Sequence, residues 1–198
     1  MSKKNRHINE KRETGLQIKE KNENPLRPIR IGLLGDTRVG KTSIINSFIG
    51  MEFRNDLYDT IGSDKFDKKV KLNDGNEIKL VFWDTSGQER FRAAALITLK
   101  TVEGIILVFD ITDKNSFNNI ESWLKDIRDN FEQEPIIILF GNKVELDKEI
   151  WKVSMEEIEG LVKKYNWDYF LISAKNNISI DQGFNCIANK IYNKRIKE

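Results

Sequence analysis

Gly35-Asp36-Thr37-Arg38-Val39-Gly40-Lys41-Thr42 has a spacing suited to holding phosphate. In Gly-x-x-x-x-Gly-Lys-Thr the glycines let backbone N–H groups close around phosphate oxygens. Lys41 supplies a point charge, and the Thr42 hydroxyl can ligate Mg²⁺. Gly35, Thr37, Arg38, Val39, Gly40, Lys41, Thr42 and Ser43 are therefore the expected phosphate-binding residues. The motif needs a strand before it and a helix after it. Ile29, Ile31, Leu33 and Leu34 supply the first pattern, and Ile44, Ile45, Phe48 and Ile49 supply the second. The start of that helix adds positive dipole potential. A Gly-rich turn without a ligand is the plainer alternative.

Further candidate chemistry lies at the ends of later apolar runs. Trp83-Asp84-Thr85-Ser86-Gly87-Gln88-Glu89 puts Asp84 where a carboxylate can hold Mg²⁺ through water, or can cap a turn. Gly87 can offer its N–H to a terminal phosphate and Gln88 can orient attacking water. Thr60-Ile61-Gly62 falls in a polar stretch, where a mobile loop can bring the Thr60 hydroxyl to Mg²⁺. Asn142, Lys143 and Glu145, with Ser173, Ala174 and Lys175, have the chemistry of a purine pocket. An amide meets the base edge, a Lys stem lies across the ring, a carboxylate accepts from the guanine N1–H and 2-amino group, and backbone N–H groups meet O6. Adenine lacks that donor pair.

These groups need a scaffold that brings strand ends together. Lys65 to Leu72 and Glu77 to Trp83 read as strands joined by Asn73-Asp74-Gly75-Asn76, a hairpin whose Asp-Gly pair suits a tight turn. Gly104 to Phe109 and Pro135 to Phe140 are continuously apolar, as strands covered on both faces should be. Tyr169 to Ile172 forms a sixth strand. Three amphipathic helices follow from Phe117, Ile120, Leu124, Ile127 and Phe131; from Ile158, Leu161, Val162 and Tyr165; and from Ile180, Phe184, Ile187 and Ile191. The alternation predicts an α/β layer sandwich with a mainly parallel sheet and one antiparallel edge strand. Ligands should gather at the strands' carboxyl ends.

With 198 residues, 39% of them hydrophobic, the chain fits one packed domain with tails. One cysteine, Cys186, excludes an internal disulfide and a multi-cysteine zinc site, and the lone histidine, His7, lies in a polar leader. Cys186 and the tryptophans outside the motifs are assigned no chemistry. No apolar run approaches the roughly 20 residues of a membrane span, and no signal peptide is visible, so a cytoplasmic protein is expected. Residues 1–28 hold eight Lys/Arg against four Glu, while the remainder holds 25 against 27. This basic leader is expected to be a disordered, solvated tail, with contact to anionic lipid or RNA as the alternative.

The five motif segments, in this order, resemble the nucleotide-binding motifs of Ras-superfamily small GTPases over residues 29 to about 194. Within the superfamily the chain looks most like the Rab family. The resemblance rests on Thr60-Ile61-Gly62 followed by Asp64 and Phe66, on Trp83-Asp84-Thr85-Ser86-Gly87-Gln88-Glu89-Arg90-Phe91, and on Leu107-Val108-Phe109-Asp110-Ile111-Thr112. It implies a P-loop NTPase small G domain over residues 29–196, in the form of a three-layer sandwich around six strands. It also implies a molecular switch using GTP, GDP and Mg²⁺, slow GTP hydrolysis and a role in vesicle trafficking. Gln88, Lys41 and Thr60 would act in catalysis, and Thr42, Thr60 and Asp84 at the metal. Phe53, otherwise a core residue, would stack on guanine. Residues around Thr60, and Gly87 to about Leu96, would form the two switches. Implied partners are effectors, exchange factors and GTPase-activating proteins. A monomer is expected, with no nucleic-acid partner and with peripheral association at endomembranes.

Several positions depart from that pattern. Glu145 stands where the family has Asp, and its extra methylene moves the guanine-reading oxygens by about an ångström, enough to strain a bidentate contact. Arg38, after Thr37, is bulky where relatives are small; it can contact phosphate or point to solvent. Thr98 and Leu99 replace paired tyrosines, while Phe66 and Trp83 are expected to persist from an aromatic effector surface. An extra residue before Phe66 is expected to alter strand register or require a bulge. The sequence stops at Lys197-Glu198 with no terminal cysteine to prenylate, so either it is truncated or the protein works without the usual lipid anchor. Two rival functions follow: a nucleotide-bound module that hardly hydrolyses, and a small phosphotransferase sharing the phosphate loop.

Overall fold

The computed structural model describes residues 25–53, 63–85 and 92–197. Six strands form one sheet: β1 (Ile29–Leu34), β2 (Ser63–Lys71), β3 (Glu77–Thr85), β4 (Gly104–Asp110), β5 (Ile136–Asn142) and β6 (Asp168–Leu171). Their order across the sheet is β2-β3-β1-β4-β5-β6, with β2 antiparallel at one edge and all other pairings parallel. The expected architecture is therefore present. β4, buried at every residue, owes its unbroken apolar run to layers of helix on both faces.

The helices are α1 (Lys41–Ile49), α2 (Arg92–Thr98), α3 (Lys114–Asn118), α4 (Ile120–Asn130), α5 (Met155–Tyr165) and α6 (Ile180–Arg195). One core joins α1 and α6 to the sheet, where Phe48 stacks on Phe184 at 4.0 Å between ring centres and both meet Phe82 edge-on. Such pairs add about 0.5–1.5 kcal/mol each beyond area burial, so α1 has a firm seat. The other core places α2, α4 and α5 on the opposite face, around Trp123 and Phe109. The single helix expected from Phe117 to Phe131 is divided at Asn119, with Asp113 capping α3 through Asn115 N–H. No expectation covered α2, whose seven residues are too few for a periodic stripe to stand out.

Where the extra residue before Phe66 led us to expect a bulge or altered register, β2 pairs with β3 without interruption from Ser63↔Thr85 to Lys71↔Glu77. The closing turn pairs Leu72 with Asn76 around Asn73–Gly75, with Gly75 left-handed at φ 89°. An unbroken ladder puts Lys65 opposite Trp83 and Phe66 opposite Phe82. Phe66 thus packs against the α1–α6 core, whereas Trp83 packs on the other face. The expected aromatic surface joining Phe66 to Trp83 is not formed, because one residue of offset turns a side chain to the opposite face. Leu99, which stands where relatives have a tyrosine, is fully buried. An added Cβ on Gly32 would meet its methyls at 2.6 and 2.8 Å.

At the end of the sheet where β1 and β4 begin, Arg195 of α6 makes a bidentate pair with Glu103 at 2.8 and 2.6 Å. The same guanidinium donates to the carbonyls of Pro25, Arg27 and Pro28. Residues 25–28, the end of the expected leader, are held there; residues 1–24 lie outside the described chain.

Candidate functional site

The carboxyl ends of β1, β3 and β5, with the segment after β6, converge as the sequence pattern predicted. Gly35 follows β1 with a Cβ position only 2.2 Å from Val108 O, so no larger residue fits. Gly40 begins α1 at φ 99°, in the left-handed region that favours glycine, and a Cβ there would lie 2.4 Å from Asn142 Nδ2. α1 has neither a side-chain cap nor an acidic residue in its first turn. Its leading N–H groups therefore suit an anion.

Lys41 is nearly buried, and its ammonium donates to Gly35 O and Asp36 O, both at 2.8 Å. It therefore curls the loop back over the start of α1. Thr42 Oγ1 donates to Asp84 Oδ2 at 2.5 Å, and Asp84 is fully buried at the end of β3. Thr85 beside it donates to Leu33 O at 2.7 Å, tying β3 to β1. A hydroxyl and a carboxylate in contact beside a helix N-terminus form a hard-oxygen donor set of the kind Mg²⁺ prefers. Val39 is buried, Ser43 half-buried, and Thr37 and Arg38 exposed. Arg38 has φ 63°, a left-handed conformation that is costly for a residue with a Cβ.

Asn142 connects three segments. Its Nδ2 donates to Val39 O at 2.9 Å, and its Oδ1 accepts from Ala174 N–H at 3.1 Å. The Ala174 N–H is thus already engaged within the pocket. Ser173 Oγ accepts from Asn176 N–H at 3.0 Å, fixing the loop after β6. Lys143, left-handed at φ 73°, pairs with Asp110 at 2.5 Å. Asp110 also accepts from the Thr112 N–H and hydroxyl. Glu145 Oε2 is buried without a hydrogen-bond partner. A shielded carboxylate oxygen is costly unless a donor reaches it, and the guanine edge supplies two such donors. Lys175 is exposed after β6, and Phe53 is exposed where its described segment ends. Thr60, Gly87 and Gln88 lie outside the described residues.

Two contacts to the phosphate loop were not foreseen. Trp123 Nε1 donates to Asp36 Oδ1 at 2.8 Å, and Asn119 Nδ2 donates to Asp36 Oδ2 at 2.6 Å. The sequence does hold a signal, since a carboxylate in a loop built for anions needs donors elsewhere. Nothing in the sequence identified Trp123 as that donor.

Comparison with known proteins agrees with this geometry. The Ras family profile matches residues 30–193. The chain is 39% identical over 159 residues to a hamster (Mesocricetus auratus) protein named Ras-related protein Rab-13, covering 80% of this chain and 77% of the relative. It is 38% identical over 163 residues to Ras-related protein RABE1d of Arabidopsis thaliana, covering 82% and 75%. It is 36% identical, with the same coverage, to GTP-binding protein yptV2 of Volvox carteri.

Proposed function

Since this chain belongs to the Ras family, as a divergent Rab-like small GTPase, we propose that it is a switch that binds GTP and GDP, hydrolyses GTP slowly and acts in vesicle trafficking through effectors. The observation that carries the proposal is the uncapped start of α1, enclosed by Gly40, Lys41 and the Asn142 amide that joins Val39 to Ala174. In this reading the N–H groups of Thr37 to Ser43 cradle the phosphates and Lys41 neutralises their charge. Mg²⁺, when bound, stabilises charge developing on the phosphate oxygens, and Thr42, Thr60 and Asp84 are the residues that would hold it.

Glu145 reads the donor edge of guanine, Asn142 holds the pocket together, and Lys143, Ser173 and Lys175 border the base, with Phe53 against its face. Gly87 donates to the terminal phosphate and Gln88 orients the attacking water. None of these groups is a strong base, so turnover should be near the order of 10⁻⁴ to 10⁻³ per second without an activating protein. Thr60 and Gly87 give the switch its two nucleotide-sensing positions. The protein is proposed to be a monomer that works in the cytoplasm and at endomembrane surfaces with exchange and activating factors.

Nucleotide released from the denatured pure protein should be GDP, and added GTP should yield phosphate slowly while ATP yields none. Replacing Gln88 by Leu should lower both intrinsic and stimulated turnover; unchanged rates would remove Gln88 from the mechanism. GTP retained without phosphate release would assign the non-hydrolysing module instead.

A further inference from the structure

Asp36 poses an electrostatic problem, because its carboxylate sits in a loop whose backbone is arranged to receive anions. The structure resolves it by drawing the side chain away from the loop. Both oxygens accept from the α3–α4 region, one from Trp123 Nε1 and the other from Asn119 Nδ2. The Trp123 side chain is almost wholly buried, which fixes its indole N–H in direction.

The same indole is held from the other side. Arg92, the first residue of α2, lies with its guanidinium carbon 3.8 Å from the Trp123 ring centre. It is locked there by Asp126 and by Ser122 Oγ, the latter at 3.0 Å. A cation over the π face withdraws electron density from the ring and makes its N–H a better donor toward a carboxylate. Arg92 strengthens the very bond that restrains Asp36.

We propose that Trp123 is a positioning residue that couples the phosphate loop, through Asp36, to the start of α2, through Arg92, so that retention of the nucleotide depends on α2 being seated. α2 directly follows the residues 86–91 that include Gly87 and Gln88, so displacing Arg92 would weaken the restraint on Asp36. The freed carboxylate would then swing toward the phosphates. The link to nucleotide release rests on the GTPase reading above, whereas the indole–carboxylate bond does not.

Release of a fluorescent GDP analogue from the full chain should be faster by roughly tenfold or more in Trp123→Phe, the loss of one bond to a charged acceptor. Arg92→Gln should accelerate release in the same direction. In an Asp36→Ala background neither substitution should add anything, because the carboxylate they restrain is gone. Equal acceleration with and without Asp36 would mean that the variants merely loosen the core, and would overturn the proposal. A second readout needs no nucleotide. The Trp123 indole N–H should exchange slowly with solvent in the native protein and at least several-fold faster in Asp36→Ala. Exchange unaffected by Asp36 would refute the bond itself. A wild-type protein that binds no guanine nucleotide would refute the GTPase reading instead, leaving indole exchange to decide this one.

Discussion

Lys65 stands directly across the β2–β3 ladder from Trp83, with its ammonium 5.6 Å from the indole centre. A lysine therefore accompanies Trp83 where an aromatic neighbour was expected. Phe66 belongs to the opposite layer and should behave as a core residue. Phe66→Ala should cost about 1–2 kcal/mol, below the full core value because the ring is only partly buried. Urea unfolding checks this, and an unchanged midpoint would contradict the observed register.

Glu145 carries a buried oxygen with no donor, which sets stability against function. Glu145→Ala should leave the nucleotide-free protein as stable as before or slightly more so, since an unpaired polar atom is removed. GDP affinity should fall about tenfold or more, equivalent to ~1.4 kcal/mol of lost contact. Thermal melting without nucleotide and calorimetric titration with GDP measure the two effects. Equal binding of GTP and ATP by the unaltered protein would show that Glu145 does not read the base.

Asn142→Ala removes two hydrogen bonds and orphans Val39 O and Ala174 N–H together. About 2–3 kcal/mol should be lost from nucleotide binding, corresponding to release roughly 30- to 150-fold faster. Stopped-flow measurement of GDP dissociation tests it, and a change below threefold would mean that the phosphate loop and the base loop hold their positions independently.

Arg38 occupies left-handed backbone at an exposed position. Arg38→Gly should raise stability by about 0.5–1 kcal/mol, the conformational penalty removed less the greater entropy loss of glycine on folding. Chemical denaturation reads this. A destabilised variant would indicate that contacts of the arginine side chain outweigh its backbone cost.

Much of the site was legible because phosphate chemistry constrains backbone and sequence together. Gly40 must be glycine to turn left-handed under the Asn142 amide, and both residues sit in recognisable motifs. The central strands were legible because two covered faces demand an unbroken apolar run, as Gly104–Asp110 shows. The consequence of the extra residue in β2 was not legible. The sequence allows Phe66 on either face of β2, and only the pairing with β3, unbroken from Ser63 to Lys71, places it on the face opposite Trp83. The partnership of Asp36 and Trp123 was hidden for a different reason. Eighty-seven residues separate them, and a buried Trp on an amphipathic helix looks like packing until its N–H is given a direction.

Arg195 gathers the backbone of residues 25–28 onto the end of α6 and onto Glu103, just ahead of β4. Its guanidinium is a mooring point shared by both tails, on the side of the sheet away from the phosphate loop. A pull on the segment before Pro25 passes into α6 and β4 before it reaches β1. The load is thereby shared with α6 and β4 before the chain enters β1, the strand that leads into the phosphate loop.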